Sequence, residues 1–238
     1  GSGTLSKLVF SRASTNGCAV AAIRVDSVIL VDPVTANGDA AATNFNPFNT
    51  DINTVRGQET GYATLNPLQK SSGSTLSNGN LDISMSSSQG TTLATMAFPA
   101  SGKWYFECTA TSSQGDVGIA KAAADLSQYV GKNSNGYGYY IDGNVYHNDS
   151  SAGSGASYGN GDIIGVAFDS DAGTCKWYKN NVLQVTISSL TGEWFPAFGS
   201  GNAAGIFNFG SRAFAYTAPS NHKSLNTANL PTPTIADG

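Results

Sequence analysis

Glu59, Glu107 and Glu193 are the only glutamates in the chain, and no two of them lie close in sequence. Hydrolysis of a glycosidic bond needs two carboxyl groups about 5–5.5 Å apart for retention, or about 6.5–9.5 Å apart for inversion. Residues at i and i+2 of a strand share a face and could supply such a pair. Asp169 and Asp171 have that spacing, but they sit in DSDAG (169–173), where aspartates cap the backbone amides of a hairpin turn. The same D-x-D-x-G could open a calcium loop. Its twelfth position, however, holds Asn180 in place of the bidentate glutamate such a loop requires. His147 and His222 stand in polar stretches and build no nucleophile–His–acid triad. Cys/His pairs at zinc spacing are missing, and the glycine-rich SAGSGASYGNG (151–161) lacks the G-K-[ST] ending of a phosphate loop. We therefore expect no catalytic residue, no metal and no cofactor.

Composition points the same way. Charged residues make up 12% of the 238 positions and glycine fills 28 of them, so the surface is polar but uncharged. Three glutamates cannot clothe an all-helical protein, while many short strands joined by turns suit this composition. The net charge is −4 and no Lys/Arg cluster occurs, so nucleic acid is not expected as a partner. No apolar run approaches the ~20 residues of a membrane helix, and the N-terminus has no signal-peptide pattern. The leading Gly-Ser-Gly suggests an excised or tagged piece. Cys18, Cys108 and Cys175 fall in apolar runs and are expected as buried free thiols, made in a reducing cytosol.

Along the chain, AVAAIRVDSVILVD (19–32) reads as two strands about an Asp26–Ser27 turn, and LSKLVFS (5–11) as a third; residues 1–32 look like the end of a preceding small β-module. Residues 33–60 read as a connector packed on a neighbour through Phe45, Phe48, Ile52 and Val55. From residue 61 strand signals recur every 8–12 residues. GKWYFECTA (102–110) alternates, with Trp104, Phe106, Cys108 and Ala110 on one face and Tyr105, Glu107 and Thr109 on the other, as a half-buried strand does. AAADLSQYVG (122–131) is the one segment with a helical look. GDIIGVAFDSDAGTCKWYKNN (161–181) is the strongest hairpin, with Phe168 and Trp177 expected in one core with Trp104 and Phe106. Residues 218–238 read as an exit linker. The sum is an all-β protein: an antiparallel two-sheet β-sandwich over 61–217, preceded by a short N-terminal β-hairpin module.

The segments GKWYFECTA, DVGIA, YGYYIDG, GDIIGVAFDSDAGTCKWYKNN, WFPAFG and FNFG follow one another in an order that resembles the SPRY domain, a concanavalin-like jelly roll. Asn181 stands where that family often has glycine. The flanking stretches resemble the surroundings of SPRY modules in bacteriophage virion proteins. The resemblance implies a non-catalytic structural or adhesion module of a phage tail fibre, located on the virion. Its expected partners are a host-surface glycan or protein and other virion proteins or copies of itself, a trimer if it is a fibre. Two rivals share the fold: a glucanase or depolymerase, which needs a close carboxylate pair, and a SPRY adaptor that binds a peptide. The E-x-D-x-E motif of the retaining glucanases is missing.

Tyr, Asn, Ser and Gly, the residues of adaptable binding loops, are densest over 133–161. SPRY domains bind partners through loops along one edge of the sandwich. By that analogy Tyr129, Asn133, Tyr146, His147, Asn148, Asp149 and Tyr158 are the expected binding residues. The bland alternative is that Tyr137, Tyr139 and Tyr140 pack on a sheet and the loop is merely soluble.

Overall fold

Alternation of apolar and polar residues dictates strands here, and the strands assemble into two sheets. The structure is a computed structural model; it describes residues 61–86 and 88–230, and the backbone of 23–25 and 28–30. The chain divides into two units, residues 1–57 and 58–238. In the first, β1 (Ile23–Val25) and β2 (Val28–Leu30) pair antiparallel with Val25 opposite Val28, the expected hairpin. The Asp26–Ser27 turn itself, the 5–11 strand, the 33–60 connector, Glu59, Cys18 and the tail beyond 230 lie outside the described residues.

The second unit is an antiparallel β-sandwich. One sheet runs, edge to edge, β11 (Ser150–Ser154), β10 (Asn144–His147), β9 (Gly136–Tyr140), β8 (Asp116–Ala120), β15 (Phe195–Gly199), β6 (Thr91–Ala94) and β3 (Leu65–Lys70). The other runs β14 (Val182–Ile187), β13 (Thr174–Lys179), β12 (Ile163–Asp169), β7 (Lys103–Ala110), β16 (Ala204–Asn208), β5 (Asp82–Met85) and β4 (Ser74–Ser77). A two-residue strand, β17 (Lys223–Ser224), adds to β7 in parallel. Between the sheets lies one core, and Trp104, Phe106, Phe168 and Trp177 all belong to it, as expected. Cys108 and Cys175 are buried free thiols in the same core.

Asn180 and Asn181 join β13 to β14, with Lys179 opposite Val182 and φ of 47° and 69°. Two positive φ values are what a type I′ hairpin turn demands, and Asn tolerates them better than any residue but Gly. Asn181 therefore meets the demand of the turn as a glycine would. Asn181→Gly should leave stability unchanged or slightly raised, whereas Asn181→Val should cost about 1–2 kcal/mol in urea denaturation.

Four expectations are corrected. Residues 122–131 form turns, not helix; Leu126 and Ala124 pack over a second apolar cluster of Leu93, Ala120, Val130 and Ala197. Ser150–Ser154 of the glycine-rich "loop" is an edge strand. β7 is buried on both faces, because Phe214, Ala215 and Tyr216 cover the side that carries Tyr105 and Glu107. Residues 218–230 are not a free exit linker: Leu225 is fully buried and Ala63 N–H donates to its carbonyl at 3.0 Å.

Candidate functional site

Glycine at alternate positions decides the shape of the outer face of the seven-stranded sheet. In β9, Tyr139 points into the core, while Gly136, Gly138 and Tyr140 face the other way. The 121–135 segment lies directly on that strip: a Cβ on Gly138 would sit 2.4 Å from the Val130 carbonyl oxygen. Val117 and Ile119 of β8 are core, so Asp116 shares the outer face with Gly118 and Ala120.

Where the covering segment ends, a cavity of about 250 Å³ opens, lined by Gln89, Asp116, Tyr129, Tyr140, Tyr146 and Ser200. Tyr146 stands between two other rings. Tyr129 lies 6.2 Å from it at 84°, and Tyr140 lies 6.2 Å from it at 69°. Each hydroxyl has a partner outside the cavity, and that of Tyr140 also meets the Ser200 hydroxyl on the cavity wall. Tyr129 donates to the Asp149 carboxylate, Tyr140 to Gln114 Oε1 at 2.5 Å, and Tyr146 to Asp142 Oδ2 at 2.8 Å. Lys132 pairs with Asp149 at 2.7 Å and stands 5.7 Å from the Tyr129 ring centre. Asp116 is 1% exposed, and no group among the described residues donates to either carboxylate oxygen. Burial, and secondarily the charge of Asp142, push its carboxyl well above the ordinary aspartate range.

The expected binding residues divide. Tyr129 and Tyr146 line the cavity, and Asp149 orients Tyr129. Asn148 and Asp149 form the β10–β11 turn, with φ of 51° and 60°. Their amides donate to the carbonyls of Asn133 and Gly131, fastening the covering segment. Asn133 itself caps the Asn135 amide at 2.9 Å. His147 turns elsewhere: its ring stacks on Tyr137 at 3.9 Å and Nδ1–H donates to the Gly136 carbonyl at 2.8 Å. Tyr158 is a correction. It is 7% exposed, in the core, with its hydroxyl 2.8 Å from the carbonyls of Gly115 and Tyr139, because residues after the edge strand fold back under the sheet.

Asp116, Tyr140, Gln89 and Ser200 were not foreseen. Parity held a signal for Asp116, since D-V-G-I-A places it opposite the apolar Val117 and Ile119. Other candidate chemistry resolves into structure. Asp169 pairs with Lys103 at 2.7 Å and caps the Ala172 amide, and Asp171 caps Gly102. Glu107 is buried and saturated with hydrogen bonds, while Glu193 is exposed. Among the described residues no His/Cys/Asp/Glu group suited to a metal ion occurs, and no helix is long and apolar enough to cross a membrane.

A sequence model of the SPRY domain matches residues 103–212. The "Probable ATP-dependent RNA helicase ddx1" of Dictyostelium discoideum is 29% identical over 134 residues, covering 55% of this chain and 17% of that protein. The chain thus spans only a small part of that relative. Among solved structures, the SPRY domain of human HERC1 superposes with a TM-score of 0.53 at 20% identity, over 60% of this chain and 94% of that one. Stonustoxin gives 0.52 at 22% identity, over 61% and 26%, and the TRIM65 PSpry domain 0.53 at 14%, over 62% and 92%. The sequence match and the shared fold together support a SPRY domain within the 58–238 unit.

Proposed function

We propose that this chain is a non-catalytic protein-interaction module that docks a peptide segment of a partner on the outer face of β8–β10. The observation that supports it is the tyrosine-walled cavity: a recessed, largely aromatic site with a few convergent polar groups, built on strands and a fastened turn. Preorganised aromatic anchors give contact area at small entropic cost. The SPRY match favours this reading over a fibre role. The virion setting and a host glycan receptor rest on the resemblance of the flanking segments alone. A glucanase would need a paired carboxylate cleft; Asp169, Asp171 and Glu107 are spent on turns, an ion pair and amide caps, and Asp116 has no second carboxylate beside it among the residues that line its cavity.

The test is selection of peptides from a random library against the full chain. Binders should lose about tenfold or more in affinity on Tyr146→Ala, with the melting midpoint little changed, since that ring is only half-buried. Binders indifferent to Tyr146→Ala would move the docking site elsewhere. The first place to look would be the larger cleft of about 490 Å³ bordered by Phe98, Phe168 and Leu190. Release of reducing sugar from polysaccharide by the purified chain would overturn the non-catalytic reading.

A further inference from the structure

Asp116 poses a problem of unmatched chemistry. An ionised carboxylate needs donors, and a protonated one needs an acceptor for its proton; the described residues offer neither oxygen a partner. A carboxyl group buried to 99% in that condition is costly in either state. The three tyrosines around the cavity do not relieve it, because each hydroxyl is committed to Asp149, Gln114 or Asp142. What they present to the cavity is their rings. Aromatic faces carry negative charge density and attract cations, and Tyr129 already has the Lys132 ammonium within cation–π range. Lys132 is itself held by Asp149 and is not among the cavity-lining residues.

Resting on the docking face proposed above, we propose that the cavity takes one cationic side chain of the partner, a lysine-type ammonium or an arginine guanidinium, with Asp116 as counter-ion and Tyr129, Tyr140 and Tyr146 as walls. The size agrees. About 250 Å³ is below the roughly 300–1,000 Å³ of small-molecule pockets and suits a single long side chain. Gln89 and Ser200 add oxygens that can accept from the incoming N–H groups. The field agrees too: Asp142 and Asp149 hold the Tyr146 and Tyr129 hydroxyls at the rim, Lys132 is paired to Asp149, and Asp116 adds a negative charge inside the cavity once it ionises. The cation binds only the ionised form of Asp116. Affinity therefore rises as the pH rises through the elevated Asp116 midpoint and is weakest below it.

The full, unmutated chain, labelled with ¹³C, allows the Asp116 carboxyl to be titrated directly by NMR. n-Butylammonium and n-butylguanidinium serve as probes, with 1-butanol and sodium chloride at equal ionic strength as controls. Saturating cation should lower the Asp116 midpoint by at least about one pH unit, a tenfold preference for the ionised form. Neither control should do so, and Asp116→Asn should abolish the cation-induced shifts of the Tyr129, Tyr140 and Tyr146 resonances. The more effective probe identifies ammonium or guanidinium as the preferred head group. A midpoint unmoved by both cations, or moved equally by sodium chloride, overturns the inference. Selected peptides settle the two proposals separately. Peptides that need Tyr146 but carry no Lys or Arg and leave Asp116 unmoved would retain the docking face and sink the cation. A shift with butylammonium in the absence of any Tyr146-dependent peptide would support the cation pocket and remove the docking face.

Discussion

Phe168→Ala is expected to destabilise the sandwich by about 3–5 kcal/mol, read from the urea midpoint at constant m-value. Phe168 is 4% exposed and lies opposite both Trp104 and Cys175 in the β7–β12–β13 ladder. Its ring stacks on Phe98 with centroids 4.4 Å apart and planes at 11°. Truncation removes that stack and leaves a hole between two bulky neighbours. The residue also borders the cleft beside Phe98 and Leu190, so water can reach part of the vacated volume. That places the loss toward the lower end of the range. A loss under 1 kcal/mol would mean that the two sheets are not held together here.

Glu107→Ala is the second large effect, expected at about 3 kcal/mol or more. The carboxylate accepts from the Ala215 amide at 2.8 Å, the Tyr216 amide at 3.0 Å and the Tyr105 hydroxyl at 3.1 Å. It is 2% exposed, so none of the three donors finds water easily once it is gone. Glu107→Gln should not fully rescue, because one acceptor oxygen becomes an NH₂ facing a backbone N–H. Hydrogen exchange gives a local readout. The Ala215 and Tyr216 amides should exchange more than tenfold faster in Glu107→Ala, while β12 and β13 keep their relative protection. Unchanged exchange at 215 and 216 would show that the covering segment is held by something other than this carboxylate.

Glu107 also marks where sequence reasoning ran out. The alternation of Trp104, Phe106, Cys108 and Ala110 was enough to place β7 against a core, since period-two burial is a local property. That the opposite face is buried too depends on residues more than a hundred positions later, and nothing in GKWYFECTA announces them. Tyr158 failed for the same reason: a tyrosine among glycines looks like a binding loop until a neighbouring strand is known to lie above it. The turns at Asn78-Gly79 and Asn180-Asn181, by contrast, were legible because Asn and Gly tolerate the positive φ that both residues of each pair adopt. The binding residues were half legible. Tyr129 and Tyr146 came from composition, but Asp116 is recognisable only when the absence of donors around it can be seen, and that is a property of the assembled site.

The 61–63 and 225–227 segments run side by side. Gly61 N–H donates to Thr227 Oγ1 at 2.8 Å, Thr227 N–H to the Gly61 carbonyl at 2.9 Å, and Tyr62 bridges Asn226. The two ends of the sandwich, at 61–63 and 225–227, therefore lie beside each other. Such a unit can be spliced into a surface turn of another fold without prising that fold apart.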